Sequence, residues 1–191
     1  MKKIIATLVI ALCVVGSAMA QDELSFERKQ AVDSLALEKV RDLSKYIKIV
    51  GSKETAFSEA NRVIDRTEEL FMSDAEIGVS SLSSNQITYY RVRKYFEHLM
   101  RLNYDRVEIE WYNIEYVSDL QRQPDGTYVG VITIFQTFRG YDKEGKLTYK
   151  DTTKKDITVY VKRKETQIGG RTIGFWDVLL GDMRVKETSN R

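Results

Sequence analysis

Val107-Glu108-Ile109-Glu110-Trp111-Tyr112-Asn113-Ile114-Glu115-Tyr116 alternates apolar and charged residues as far as Trp111, then carries the apolar set onward at Tyr112, Ile114 and Tyr116 on the opposite parity. A β-strand alternates its faces with period 2, so one extra residue turns every later side chain to the other side. The simplest physical cause is a bulge or sharp coil near Trp111, and the strand containing it bends strongly. Downstream the same period continues. Gln123-Pro124-Asp125-Gly126 predicts a turn from the fixed φ of proline and the tolerance of glycine for positive φ. Tyr128 to Phe138 is apolar on both parities and predicts a central strand. Asp142 to Gly145 forms a second turn, and Leu147 to Arg163 a strand whose end alternates Ile157, Val159 and Val161. Gly169-Gly170 makes a third turn before a last strand from Arg171 to about Lys186. Strands joined by short turns pair antiparallel, so this half predicts a meander.

Upstream the period is 3.6. From Phe26 to about Val50, the residues Val32, Leu35, Ala36, Val40, Leu43, Ile47 and Val50 recur at steps of three and four, an amphipathic helix stopped by Gly51. With Ser52 as a candidate N-cap, Phe57, Ala60, Ile64, Leu70 and Phe71 predict a second helix to about Met72. Asp74 to Ser84, with Ile77 and Val79 alternating, has room for one short strand. Ser83 and Gln86 resemble a capping box for a third helix, whose stripe of Tyr89, Val92, Phe96, Leu99 and Met100 ends near Asn103. Helical stripes and a one-sided curved sheet bury both apolar surfaces if the helices cover the concave face, giving an α+β cup in a single domain over 21–191.

The chain has 191 residues and opens with Lys2-Lys3, the apolar run Ile4 to Val15 and Ala18-Met19-Ala20. That pattern predicts a secretory signal peptide over 1–20, cleaved after Ala20, and a periplasmic or secreted protein. The single cysteine, Cys13, lies within the leader, and Leu12 before it disfavours acylation, so the exported chain carries neither a disulfide framework nor a thiolate metal site. The 30 basic and 28 acidic residues become equal in number once Lys2 and Lys3 leave with the leader. With both signs interspersed, no broad positive field is expected to attract nucleic acid. No second apolar stretch approaches membrane-spanning length.

The order helix, helix, short strand, helix, then four long antiparallel strands resembles the nuclear transport factor 2-like superfamily, also called SnoaL-like cone folds, over roughly Phe26 to Lys186. The phase slip at Trp111 and the closing segment Phe175-Trp176-Asp177-Val178-Leu179-Leu180-Gly181-Asp182-Met183-Arg184-Val185 carry the rest of the likeness. The resemblance implies a small-molecule cavity, a peptide site or a filled core between helices and sheet, and Tyr95, Trp111, Phe135 and Trp176 are the candidates for its lining. Ordinary aromatic packing explains the same residues. Enzymes of this superfamily place acid and base side chains inside the cone. No carboxylate and histidine here fall into a matching motif, and no catalytic residue transfers.

His98, the only histidine, flanks the third stripe and is the one candidate for a proton-transfer group; a boundary position explains it equally. Glu108, Glu110 and Glu115 read as solvated strand faces. One histidine without cysteine cannot build the usual zinc shell, and no calcium, phosphate-loop or nucleophile-elbow spacing is present, so neither metal nor cofactor is expected. Lys162-Arg163-Lys164 with Arg171 reads as charged strand ends that blunt edge pairing. Together these features predict an exported non-enzymatic module that holds a small apolar ligand or an envelope protein partner, with a homodimer through the sheet. The alternative is a small lyase, isomerase or cyclase working by proton transfer inside the cone, with His98 and Tyr95 as participants.

Overall fold

The computed structural model describes residues 24–190. The leader, its cleavage point and Cys13 lie outside the described residues. Those described fall into two units divided after Ala31, and the second, Val32 onward, holds the architecture below. Helix α1 runs Phe26–Gly51 across that division, followed by α2, Phe57–Glu68, the hairpin β1, Glu76–Ser81, and β2, Ser84–Arg91, and α3, Val92–Met100. The meander is β3, Arg106–Arg122, β4, Tyr128–Tyr141, β5, Leu147–Ile168, and β6, Arg171–Ser189. All six strands form one sheet in the order β2-β1-β6-β5-β4-β3. Every pairing is antiparallel except β1 with β6, which meet in parallel at Ile77 and Met183. This is the expected α+β architecture of helices on a curved, unclosed antiparallel sheet.

The slip read at Trp111 is a bulge. Tyr112 pairs with Phe135 but the next register pair is Glu115 with Thr133, so Asn113 and Ile114 occupy the space of one residue. Asn113 takes φ 49°, a left-handed conformation that asparagine tolerates better than branched residues. Two of the helical expectations need correction. Ser84–Arg91 forms a second short strand rather than the first turns of a helix, because pairing with β1 satisfies its backbone along Thr88 to Arg91. α3 therefore begins at Val92, and neither α2 nor α3 has a side-chain cap, so Ser52 and Ser83 do not act as N-caps. Ser52 Oγ instead accepts from the amide of Glu54 at 3.3 Å, and Ser83 is tied to Ser81 at the hairpin tip.

The apolar stripe of α1 is buried at Val32, Ala36, Val40, Leu43, Ile47 and Val50, as spaced. On the inner sheet face Ile132, Ile134, Ile157, Val159, Val161, Val178, Leu180 and Met183 are fully enclosed. Burying that much branched aliphatic surface supplies most of the driving force for folding, at roughly 25 cal/mol per Å². The arginine fork of Arg93 clasps Asp65 and Glu68, its Nε lying 3.0 Å from Glu68 Oε2, and fixes α3 against α2. Lys53 Nζ donates to the carbonyls of Met100 at 3.1 Å and Leu102 at 2.6 Å, closing the open C-terminal end of α3. These ties hold α3 over one end of the sheet.

Candidate functional site

Register decides which side chains meet under α3. In the pairings Ile109 with Phe138 and Phe138 with Asp151, all three share a face; so do Trp111, Gln136 and Thr153, and so do Ile134, Lys155 and Val185. Along β5 the inward positions are Asp151, Thr153, Lys155, Ile157, Val159 and Val161. One face of one strand thus turns from polar to aliphatic. The aliphatic part is solid core, whereas the polar part borders a cavity of about 300 Å³ roofed by Tyr95, Leu99 and Leu102 and flanked by the β1–β2 hairpin at Val79 to Ser81. Tyr104 completes the wall by lying against Gly140, where a methyl group would sit 2.5 Å from its ring.

Lys155 is 2% exposed and its ammonium lies 6.0 Å from the centre of the Tyr95 ring. Among the described residues no carboxylate forms an ion pair with it and no group accepts a hydrogen bond from it. Loss of water around the charge pushes its pKa down to about 8, only partly opposed by the field of Asp151. Asp151, 4% exposed, is displaced upward by the same loss of solvation, against the opposing hydrogen bond from Tyr149 and the charge of Lys155. Four residues of strand separate the two by about 13 Å at the backbone, so the space above Thr153 lies between amine and carboxyl. A hydrogen-bonded chain approaches Asp151 from the hairpin tip: the amide of Leu82 donates to Tyr149 Oη at 3.0 Å, and that hydroxyl donates to Asp151 Oδ2 at 2.7 Å. Burial drives the Tyr95 hydroxyl far above the ordinary tyrosine range, so it keeps its proton at any physiological pH. Trp111 Nε1 donates to Gln136 Oε1 at 3.1 Å, which leaves the amide nitrogen of Gln136 as the end of that group not held by the indole.

The residues singled out from sequence fall in different places. Tyr95 is in the cavity wall, and Trp111 stands behind it through Gln136. Phe135 lies on the opposite, outer face, stacked on Tyr112 at 5.5 Å beneath Lys154, because its neighbour Gln136 takes the inward position. Trp176 packs edge-on against Tyr128 at 5.6 Å, far along β6 from the cavity. His98 reaches the rim but is solvent-exposed and stacks on Tyr90 at 5.3 Å. Glu108 and Glu110 make partly exposed ion pairs with Arg106 and Arg139, each 3.0 Å at its shortest. Lys155 and Asp151 escaped the sequence reading although their signal was present. Extending the parity of Ile157, Val159 and Val161 upstream puts Lys155, Thr153 and Asp151 on the covered face, where unpaired charge is costly and therefore informative.

From Val32 onward, helices cover one face of a curved, unclosed antiparallel sheet, and that face holds a cavity with buried ionisable groups, the α+β architecture that the sequence predicts. Among solved structures, a candidate scytalone dehydratase from Novosphingobium aromaticivorans is similar over 87% of this chain and 92% of its own, with 13% identity and a TM-score of 0.45. A type 2 hexachlorocyclohexane dehydrochlorinase, LinA, is similar over 85% of this chain and 91% of its own, with 14% identity and a TM-score of 0.41. No protein-family model and no curated protein matches the sequence. Both structures are named as enzymes, which runs against the expectation of a non-enzymatic binding module. A buried ammonium without an ion-pair partner also fits poorly with a purely apolar ligand.

Proposed function

We propose that the protein is a small lyase, isomerase or cyclase that moves a proton on a compact substrate held in the cavity under α3. Lys155 and Asp151 exchange the proton, and the neutral Tyr95 hydroxyl donates a hydrogen bond to charge that develops on substrate oxygen. The observation that carries the reading is the enclosed Lys155 ammonium on a cavity wall. Placing it there without an ion-pair partner costs stability, and burial brings its pKa close to the range in which an amine can both accept and return a proton. A volume of about 300 Å³ is at the small end for ligand pockets and suits a compact ring or short chain. Ile109, Leu99 and Phe138 supply apolar contact, while Thr153 and Gln136 supply polar contact.

The test is hydrogen exchange at carbon. The purified protein is incubated in D₂O with a panel of compact cyclic ketones and β-hydroxyketones, and NMR follows both loss of α-hydrogens and appearance of elimination products. Wild-type protein should accelerate one of these on at least one member, and Lys155→Met should return it to the buffer rate. Equal rates for both proteins across the panel would remove the reading.

A further inference from the structure

We propose that Lys155 is a covalent catalyst, its Nζ condensing with the carbonyl carbon of an aldehyde or ketone substrate to form an imine. The inference rests on the cavity being the proton-transfer site, and it narrows the substrate class to small carbonyl compounds. Three features favour it over simple proton acceptance. Within the described residues the amine has no ion-pair partner that would hold it away from an incoming carbon. It lies on the wall of the cavity and is itself only 2% exposed, so a carbonyl compound bound there is held beside it. Asp151, on the same face four residues away, borders the same space without touching the amine, so a bound molecule fits between them.

The atoms balance without any further reagent. The nitrogen lone pair forms the C–N bond while the carbonyl π pair moves to oxygen; a proton passes from nitrogen to that oxygen, giving a carbinolamine. Protonation of the hydroxyl by the Asp151 carboxyl lets it depart as water, and the remaining lone pair closes the C=N⁺ bond. The iminium draws electrons from the adjacent C–H bond, whose proton goes to the Asp151 carboxylate, leaving an enamine. Reprotonation at carbon or loss of a β-substituent follows, and water re-adds to release the product and the amine. Amines attack only when unprotonated, and the lowered pKa of Lys155 keeps a useful fraction so near neutrality.

Reductive trapping tests it. The purified protein is treated with benzaldehyde or cyclohexanone and sodium cyanoborohydride, which reduces an iminium to a stable secondary amine, and peptide mass mapping locates the adducts over time. Lys155 should be modified before exposed lysines such as Lys45 and Lys143, with a rate that climbs through pH about 8, and Lys155→Arg should lose that early adduct. The wild-type order and pH dependence are read without any variant, so a poorly folding Arg protein leaves the test intact. Modification of surface lysines with Lys155 untouched would overturn the imine. If carbon–hydrogen exchange then still depended on Lys155, proton transfer would stand without covalent chemistry; if exchange were absent too, both proposals would fall together.

Discussion

Lys155 makes the folded chain carry a charge that water would otherwise stabilise. Its pKa near 8 against 10.5 in the unfolded chain corresponds to a penalty on the order of 3 kcal/mol wherever both states are protonated. The sign follows from proton counts. Below pH 8 both states hold the proton and the penalty is complete. Between pH 8 and 10.5 only the unfolded chain still holds it, so stability from this group rises with pH, and above that range the penalty is gone. Lys155→Met should therefore be more stable than wild type at pH 7, by up to about 3 kcal/mol less what Asp151 loses with its neighbour, and the gap should close toward pH 10. Urea titrations at several pH values measure this. His98→Ala, by contrast, should leave carbon–hydrogen exchange unchanged, since the imidazole is solvent-exposed and its ring is occupied with Tyr90.

The bulge in β3 lies at Asn113, where the register with β4 slips by one residue. Asn113 at φ 49° needs a residue that accepts left-handed backbone, so Asn113→Val should cost about 1–2 kcal/mol in a denaturation experiment while Asn113→Gly is tolerated. This bulge was legible because it reverses a parity that runs on both sides of it. The β1–β2 hairpin was only half legible. Ile77 and Val79 announced β1, but the strand from Ser84 to Arg91 contains Tyr89 at a spacing that also continues the stripe of α3, and only pairing with β1 decides the matter. The cavity was illegible for a similar reason. Aromatics at core spacing suggested its lining, yet Phe135 points outward by one position and the groups that matter are charged residues on a strand whose lower half is aliphatic. Their meaning depends on the partner strand and on the helix above, neither of which a local pattern contains.

At the scale of the whole molecule, the sheet separates two kinds of work. β5 and β6 extend past the start of β4, pairing only with each other from Lys162 opposite Asp177 to the turn at Gly169-Gly170. Exposed side chains run the length of this ribbon, and a two-stranded ribbon contributes little stability of its own. Replacing Glu165 to Gly174 by a two-residue Asn-Gly turn should leave both the melting temperature and the cavity reaction near their original values, as scanning calorimetry and the exchange assay would show. The base of the ribbon is a different matter, since Trp176 rests on Tyr128 there. At the other end, Gly140 keeps the interior hollow. Adding one carbon at that position places it 2.5 Å from the Tyr104 ring, which has to shift, and Tyr104 is part of the cavity wall. Gly140→Ala should therefore reshape the cavity wall, with the exchange rate of the proposed reaction lost before the fold is, so that the shape of this hollow hangs on a single hydrogen standing where a methyl group could be.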